Sequence, residues 1–495
     1  MGTLRKLAGQ SAIYGLSSIV GRFLNYLLVP LHTNIFKHPG EYGVVTELYA
    51  YISFLMIIYT YGMETSFFHF SEKEKENKNK VFSTGMVALL FSTILLSGSI
   101  ILFSGNIADV LDYQKHPEYI TWMALIIGFD TLTALPFARL RQQAKAQKFA
   151  VLKVANIIIN ITFNMLFFII LPVWYKGEAG LLKSFAHLIY NPAVGVGYVF
   201  IANLLASAAT LLMMIPEFRF NKEEFDKQLL QKIVLYSLPL LVAGLAGMVN
   251  ETLDRIMLKF LVNDHASAMN QLGIYGACYK LSILMTLFIQ AFRYAAEPFF
   301  FAQFKKEDAR KVYALVMKYF VITCAIIFLA IMMYLDIIKY FIGKNYWPGL
   351  KVVPILLLAN MCLGIFFNLS MWYKLTGETR FGAYFAVFGA VITITFNYML
   401  IPKMGYMGAA WTTLICYASM MLASYITGQK KYPVSYETKR ILAYVGIAII
   451  LFLISKMIEQ YFHPNTTIQL LINTIILFGY LFMLSKKERP PVALK

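Results

Sequence analysis

Gly21-Arg22-Phe23-Leu24-Asn25 lies in the middle of one long apolar stretch and Asp254-Arg255-Ile256-Met257-Leu258 in another, so two arginines stand 233 residues apart. The same offset recurs. It carries Tyr42-Gly43 onto Tyr275-Gly276, Glu64 onto Glu297, Phe67-Phe68 onto Phe300-Phe301, and Ile161-Thr162-Phe163-Asn164 onto Ile394-Thr395-Phe396-Asn397. Any one match arises easily by chance in so apolar a chain; one offset shared by all of them does not. The sequence therefore encodes two copies of one unit, each with an arginine and a glutamate inside an apolar segment. A charge at mid-bilayer costs about 2.5–3.5 kcal/mol on insertion scales, so it must face a partner or a wet cavity. Duplicated membrane units carrying such charges are built like transporters.

The composition makes the bilayer the solvent. A soluble domain is about half apolar and about a quarter charged, whereas this chain of 495 residues is 59% hydrophobic and 14% charged. A helical crossing needs about 20 apolar residues. Fourteen runs qualify: 8–33, 43–68, 81–104, 118–138, 149–172, 192–215, 233–262, 271–300, 312–335, 350–373, 381–401, 406–427, 441–459 and 466–485. The short alternating strands of a barrel are missing. The expected fold is an all-α integral membrane protein of 14 transmembrane helices. The first run follows Met1–Lys6, is longer than a signal-peptide core and lacks a small-residue cleavage site, so it reads as an uncleaved span. Cys278, Cys324, Cys362 and Cys416 fall inside spans without metal-ligand spacing and read as packing residues.

The net charge of +18 is distributed by loop. Basic residues crowd Arg5/Lys6, Lys73 to Lys80, Arg139 to Lys148, Arg219 to Lys232, Lys305 to Lys311, Lys374/Arg380, Lys430 to Arg440 and Lys486 to Lys495, while the alternate loops hold few. This positive-inside pattern places both termini in the cytoplasm. It also accounts for the charge without nucleic acid, with anionic-lipid contact as a by-product.

Six spans separate the repeat starts, and six is even, so both copies enter from the same side. Two six-helix lobes related by a pseudo-twofold axis along the membrane normal are expected. The boundaries are 1–215 for the first lobe, 216–231 for an amphipathic linker helix on the cytoplasmic surface, 232–430 for the second lobe, and 431–495 for two appended helices and a tail. Pro172 and Pro402 each precede a glycine pair three apart, Gly177/Gly180 and Gly405/Gly408, which reads as a tight turn straight into the next span.

The embedded charges are the candidate site. Arg22 has no acid three or four residues away on its own helix, with Asn25 near its face, so its partner comes from elsewhere. Arg255 is surrounded by Asn250, Glu251 and Asp254; Arg293 stands four residues from Glu297, a spacing that permits a self-satisfied structural pair. Two arginines at equivalent depth would converge between the lobes, and guanidinium forks match phosphate oxygens bidentately. Arg22, Arg255 and Arg293 are thus the candidates for holding an anionic headgroup. Asn25, Glu64, Asp130, Asn250, Asp254 and Glu297 are candidates for cavity polarity, gating or ion coupling, and a purely structural lock remains open for Glu64, Glu297 and Asp130. No phosphate-cradling glycine loop, Ser/His/Asp set or metal cluster is present in the sequence, and no catalytic residue or cofactor is expected.

Asp254-Arg255-Ile256-Met257-Leu258, then Gly273-Ile274-Tyr275-Gly276 and Glu297-Pro298-Phe299-Phe300, with Gly15, Gly21-Arg22, Asn25 and Pro30 in the opening helix, resemble the bacterial polysaccharide and O-antigen lipid-intermediate flippases. These belong to the multidrug/oligosaccharidyl-lipid/polysaccharide exporter superfamily. The resemblance implies two lobes forming a V around a cationic cavity. It implies transfer of undecaprenyl-diphosphate-linked sugar units from the cytoplasmic to the periplasmic leaflet by alternating access. Arg22 and Arg255 carry over, with Arg293 as a further candidate. Coupling to proton, sodium or membrane potential is left open, as is association with a polymerase or glycosyltransferases. The rivals are a peptidoglycan-precursor flippase, a cation-coupled multidrug antiporter with an acid-dominated cavity, and a membrane polymerase or glycosyltransferase. Such an enzyme typically needs a sizeable outer domain, for which the loops leave no room.

Overall fold

A computed structural model describes residues 20–488 except 22, 74–76, 179, 222–223 and 305. Among the described residues there is no strand, as expected where hydrocarbon offers the backbone no hydrogen bonds and helices satisfy their own. The α-helices are α1 (Leu28–Ile35), α2 (Pro39–Thr60), α3 (Met63–Lys73), α4 (Lys78–Leu102), α5 (Ser104–Val110), α6 (Glu118–Gln142), α7 (Ala146–Met165), α8 (Leu171–Lys176), α9 (Leu181–Ile189), α10 (Gly197–Met214) and α11 (Lys227–Leu261). They continue as α12 (His265–Leu281), α13 (Ile283–Gln303), α14 (Ala309–Met333), α15 (Leu335–Ile338), α16 (Val353–Leu369), α17 (Met371–Leu375), α18 (Arg380–Met404), α19 (Tyr406–Lys431), α20 (Thr438–Phe462) and α21 (Thr466–Lys487).

Among the described residues twelve helical stretches are long and apolar enough to cross a membrane, and the pair α12 and α13, bent by 48°, passes the same test together. These correspond to the second to fourteenth expected spans; half of the first lies outside the described residues. The bend falls at Ser282, whose Oγ donates to the Tyr279 carbonyl at 2.7 Å, the kind of side-chain insertion that breaks a helix ladder.

The chain divides into two compact units, residues up to Gly273 and from Ile274 onward. In the first, α6 packs on α4, α10 and α2, while α11 lies against α2, α3 and α4. Thus α11, at the head of the second sequence repeat, packs within the first unit. A buried ion pair holds it there: Lys259 Nζ stands 2.9 Å from Glu47 Oε1, with both side chains almost wholly removed from solvent. Tyr113 donates to the other carboxylate oxygen at 2.6 Å. In the second unit α16 and α18 flank α19, and α14 carries α20. Lys318 of α14 ties in the last two helices, reaching Glu437 at 2.9 Å and Glu488 at 3.1 Å.

The crossing of α2 and α12 is set by two glycines. A Cβ on Gly273 would stand 1.8 Å from the Pro39 carbonyl oxygen, and one on Gly43 2.3 Å from that of Met269. Backbone cannot yield as a side-chain tip can. Gly273→Ala is expected to destabilise the first unit by about 1–3 kcal/mol, the usual penalty of overpacking, read as a lower midpoint of thermal unfolding in detergent.

Two local expectations are corrected. The linker at 216–231 is not one amphipathic helix: a 3-10 turn at Ile215–Glu217 is followed by chain without helix at 218–221, and α11 begins at Lys227. The reason is packing. Phe218 and Phe220 sit against the cluster of Met63, Phe67, Phe82 and Leu229 rather than on a lipid surface. Asp226 caps α11 through the Gln228 and Leu229 amides; Lys80, 2.6 Å away, and these amides hold its carboxyl down at about 2. The turn after Pro172 does not run straight into the next span either, because α9 intervenes before α10. Its counterpart does: Gly405, at φ 57°, leads directly into α19.

A polar membrane cavity as candidate functional site

Between the ends of α2 and α3 and the helices α6, α7 and α10 lies a cavity of about 470 Å³. Its polar lining is Thr60, Glu64, Asp130, Thr133, Arg141, Lys153, Asn156 and Thr210, faced by the rings of Phe137 and Phe149. The helix is interrupted at Tyr61 and Gly62, both with positive φ. Glycine adopts that conformation without strain, and the break offsets α3 from α2, presenting Glu64 to the cavity. Glu64 pairs with Arg141 from the far end of α6. The Arg141 Nε is buried without a hydrogen-bond partner, and its guanidinium lies over the rings of Phe68 and Phe149 at 5.2 and 6.0 Å.

Lys153 is the unusual member. Its ammonium sits 4.1 Å from the centre of the Phe137 ring and makes no ion pair or hydrogen bond with a described residue. Asp130 and Glu64 act on it through space. The Ser207 hydroxyl lies beside Asp130; Asn156 donates to Thr210 at 2.8 Å and to the Ala206 carbonyl at 3.1 Å. Two carboxylates and two cations therefore share one pocket with amides, hydroxyls and aromatic faces. The field is balanced rather than cationic, and the surface can both donate and accept.

A polar ladder runs beside it between the first span and α7. Asn160 donates to Asn25 Oδ1 at 3.2 Å, Asn164 donates to Asn160 Oδ1 at 3.0 Å, and His32 Nε2 lies 2.8 Å from Asn164 Oδ1. An amide oxygen can only accept, so His32 carries its proton on Nε2. Asn25 thus belongs to a polar ladder within the helices, and its partners Asn160, Asn164 and His32 escaped the sequence reading.

The second unit repeats one element of this site. Glu297 pairs with Lys374 at 2.6 Å, and Lys374 stands 233 residues after Arg141 as Glu297 does after Glu64. The offset therefore relates an ion pair to an ion pair. Matching identities alone missed it, because arginine in one copy is lysine in the other. Arg293 approaches Glu297 at 4.0 Å and covers the Phe367 ring at 4.7 Å. The space beside them, also lined by Asn368, is about 20 Å³, room for a single water.

Arg22 lies outside the described residues, and so does its expected meeting with Arg255. Asn250, Asp254 and Arg255 all belong to α11; Asn250 and Asp254 are buried, and Arg255 is half-buried within electrostatic reach of Tyr42. Among the described residues no group of three His, Cys, Asp or Glu could hold a metal ion.

Solved structures with this arrangement of helices define the class. The chain superposes on the lipid II flippase MurJ in its inward closed conformation with a TM-score of 0.71 at 14% identity, covering 96% of this chain and 99% of that one. It superposes on an inward-facing multidrug resistance transporter of the MATE family with a TM-score of 0.65 at 13% identity, covering 85% and 94%. The outward-facing form of a MATE family transporter gives 0.59 at 14%, with the same coverage. The chain shares the fold of these membrane transporters. More narrowly, the polysaccharide biosynthesis protein family model matches residues 7–304, over half of the chain, and the chain belongs to that family. No curated protein matches it.

Proposed function

We propose that the protein is a flippase for undecaprenyl-diphosphate-linked oligosaccharide units in surface polysaccharide synthesis, moving them from the cytoplasmic to the periplasmic leaflet of the bacterial inner membrane. The carrying observation is a polar, charge-lined cavity inside a membrane unit of a polysaccharide biosynthesis protein. An unsatisfied hydroxyl moved into hydrocarbon costs about 4–8 kcal/mol, so a sugar headgroup crosses only where such groups replace water. The prenyl tail stays in lipid. Arg22, Arg255 and Arg293 are the candidate contacts for the diphosphate, with Arg141 and Lys153 added by the cavity.

The parallel repeat supports alternating access by rocking of two lobes. An inside-negative potential drives an anion outward by about 2.3 kcal/mol per charge per 100 mV; Asp130 and Glu64 are the candidates if proton or sodium contributes. Both termini lie in the cytoplasm on this reading, and a polymerase or glycosyltransferases are the natural partners.

Arg22→Ala and Arg255→Ala are each expected to abolish surface polysaccharide while the protein still inserts; lysine at either position restores part of it if charge suffices and less if the fork geometry matters. Normal polysaccharide in both alanine variants would defeat the assignment. A second reading, a peptidoglycan-precursor flippase, is favoured by the near-complete superposition on MurJ. Rescue of a strain lacking that activity, without rescue of a surface-polysaccharide mutant, would replace the first reading by the second.

A further inference from the structure

Helix α9, Leu181–Ile189, is nine residues long, far below the about 20 that a crossing requires. It joins α8, the end of one crossing, to α10, the start of the next, so connectivity alone puts it at a membrane surface. Leu181, Phe185 and Leu188 fall on one face at helical spacing, and they are 91%, 50% and 82% exposed. Leu182 and Ile189 widen the same stripe. The opposite side holds the helix to the protein: Ala186 is fully buried, and the His187 ring packs on that of Tyr175 at 4.1 Å between centroids. The apolar stripe thus points away from the unit that carries it.

A short helix with an outward apolar stripe, fixed at the mouth of two crossings, has lipid as its neighbour. We propose that α9 lies in the plane of the bilayer interface, its stripe among the acyl chains and Lys176 and Lys183 at lipid phosphates. Charge and continuity support that occupant. Lys183 lies off the stripe, where a long amine reaches headgroups. Lys176, at the end of α8, rims an apolar groove of about 530 Å³ between the end of the first span and α8, lined by Leu31, Ile35, Ile169 and Val173, with room for a lipid chain beneath the amine. The second unit has no counterpart, since Gly405 turns directly into α19. This assignment depends neither on the cargo nor on which side of the membrane the loop faces.

The test uses the full chain, with its four native cysteines replaced, reconstituted in phosphatidylethanolamine–phosphatidylglycerol vesicles. Spin labels are placed singly at Leu181, Phe185 and Leu188, and at Ser184 and His187. The ratio of collision rates with oxygen and with a water-soluble nickel chelate is expected to be at least about threefold higher at the first three positions, as for a helix sunk on one face. Equal ratios, or nickel access greatest at Phe185 and Leu188, would put the stripe in water and overturn the proposal. Low access to both reagents would mean a protein cover and overturn it equally. Should the cysteine-free background fail to fold, Phe185→Trp and Ser184→Trp in the native chain provide the same decision. Brominated lipid is expected to quench the added fluorescence of the first and spare that of the second, and quenching of neither or of both alike would refute an in-plane helix.

Discussion

Lys259→Met is expected to leave little monodisperse protein after detergent extraction, and adding Glu47→Leu to the same chain is expected to restore it. The single change strips a cation from a carboxylate that is wholly buried between α2, α11 and the loop at Tyr113. Breaking such a pair costs about 3–5 kcal/mol, because the remaining charge is left without compensation. That is a large part of a total stability of about 5–15 kcal/mol. Tyr113 still donates to Glu47 and softens the loss without cancelling it. The double change removes both charges at once and fills the space with apolar atoms, an exchange that is often neutral or stabilising. Fluorescence-detected size exclusion and the thermal midpoint of each variant decide the matter. A single variant as stable as the parent, or a double variant no better than the single, would show that the pair does not hold α11 in place.

This pair also marks the limit of what was legible from residues alone. Length and apolarity suffice for the crossings, since hydrocarbon admits few alternatives to a helix, and the expected second to fourteenth spans are all formed. The repeat was legible because its offset is a property of one dimension. Glu47 and Lys259, in contrast, are separated by 212 positions and meet through a fold that no local pattern specifies. Helix α9 was missed for a different reason. Its composition matches that of a crossing, and only length separates a foot from a span; the Gly177 to Gly180 segment looked like its partner at Gly405, yet the two connections have different lengths. The linker was expected to be an amphipathic helix on the cytoplasmic surface, whereas the neighbouring core takes its Phe218, Phe220 and Leu229.

Of the candidate site, the acids were visible and their cations were not. Glu64 and Asp130 stood out as charges within apolar runs. Arg141 and Lys153 lie close to the basic loop at Arg139 to Lys148 and merged with the topological charge there. What distinguishes Lys153 is spatial: an ammonium one turn beyond that loop, turned onto the Phe137 ring and into a cavity.

The sharpest functional consequence follows from that placement. Lys153→Met is expected to lower surface polysaccharide at least about tenfold, equivalent to about 1.4 kcal/mol, with a thermal midpoint equal to or above that of the parent. The repeat supplies the control. The position 233 residues on is Ala386, so the helix packing of the unit does not need a cation at this depth. An ammonium held within a membrane crossing without an ion pair opposes folding, and a residue that opposes folding while serving the activity is the signature of a stability–function trade-off. Lys153→Arg keeps the charge and is expected to keep most of the export. Asp130→Asn leaves Lys153 without its nearest opposing field and, in a charge-balanced cavity, is expected to impair export as well. If Lys153→Met exports normally, the cavity does not handle the headgroup. If the variant loses export only in proportion to lost folded protein, Lys153 is a structural residue and its solitary position in the cavity is incidental to transport.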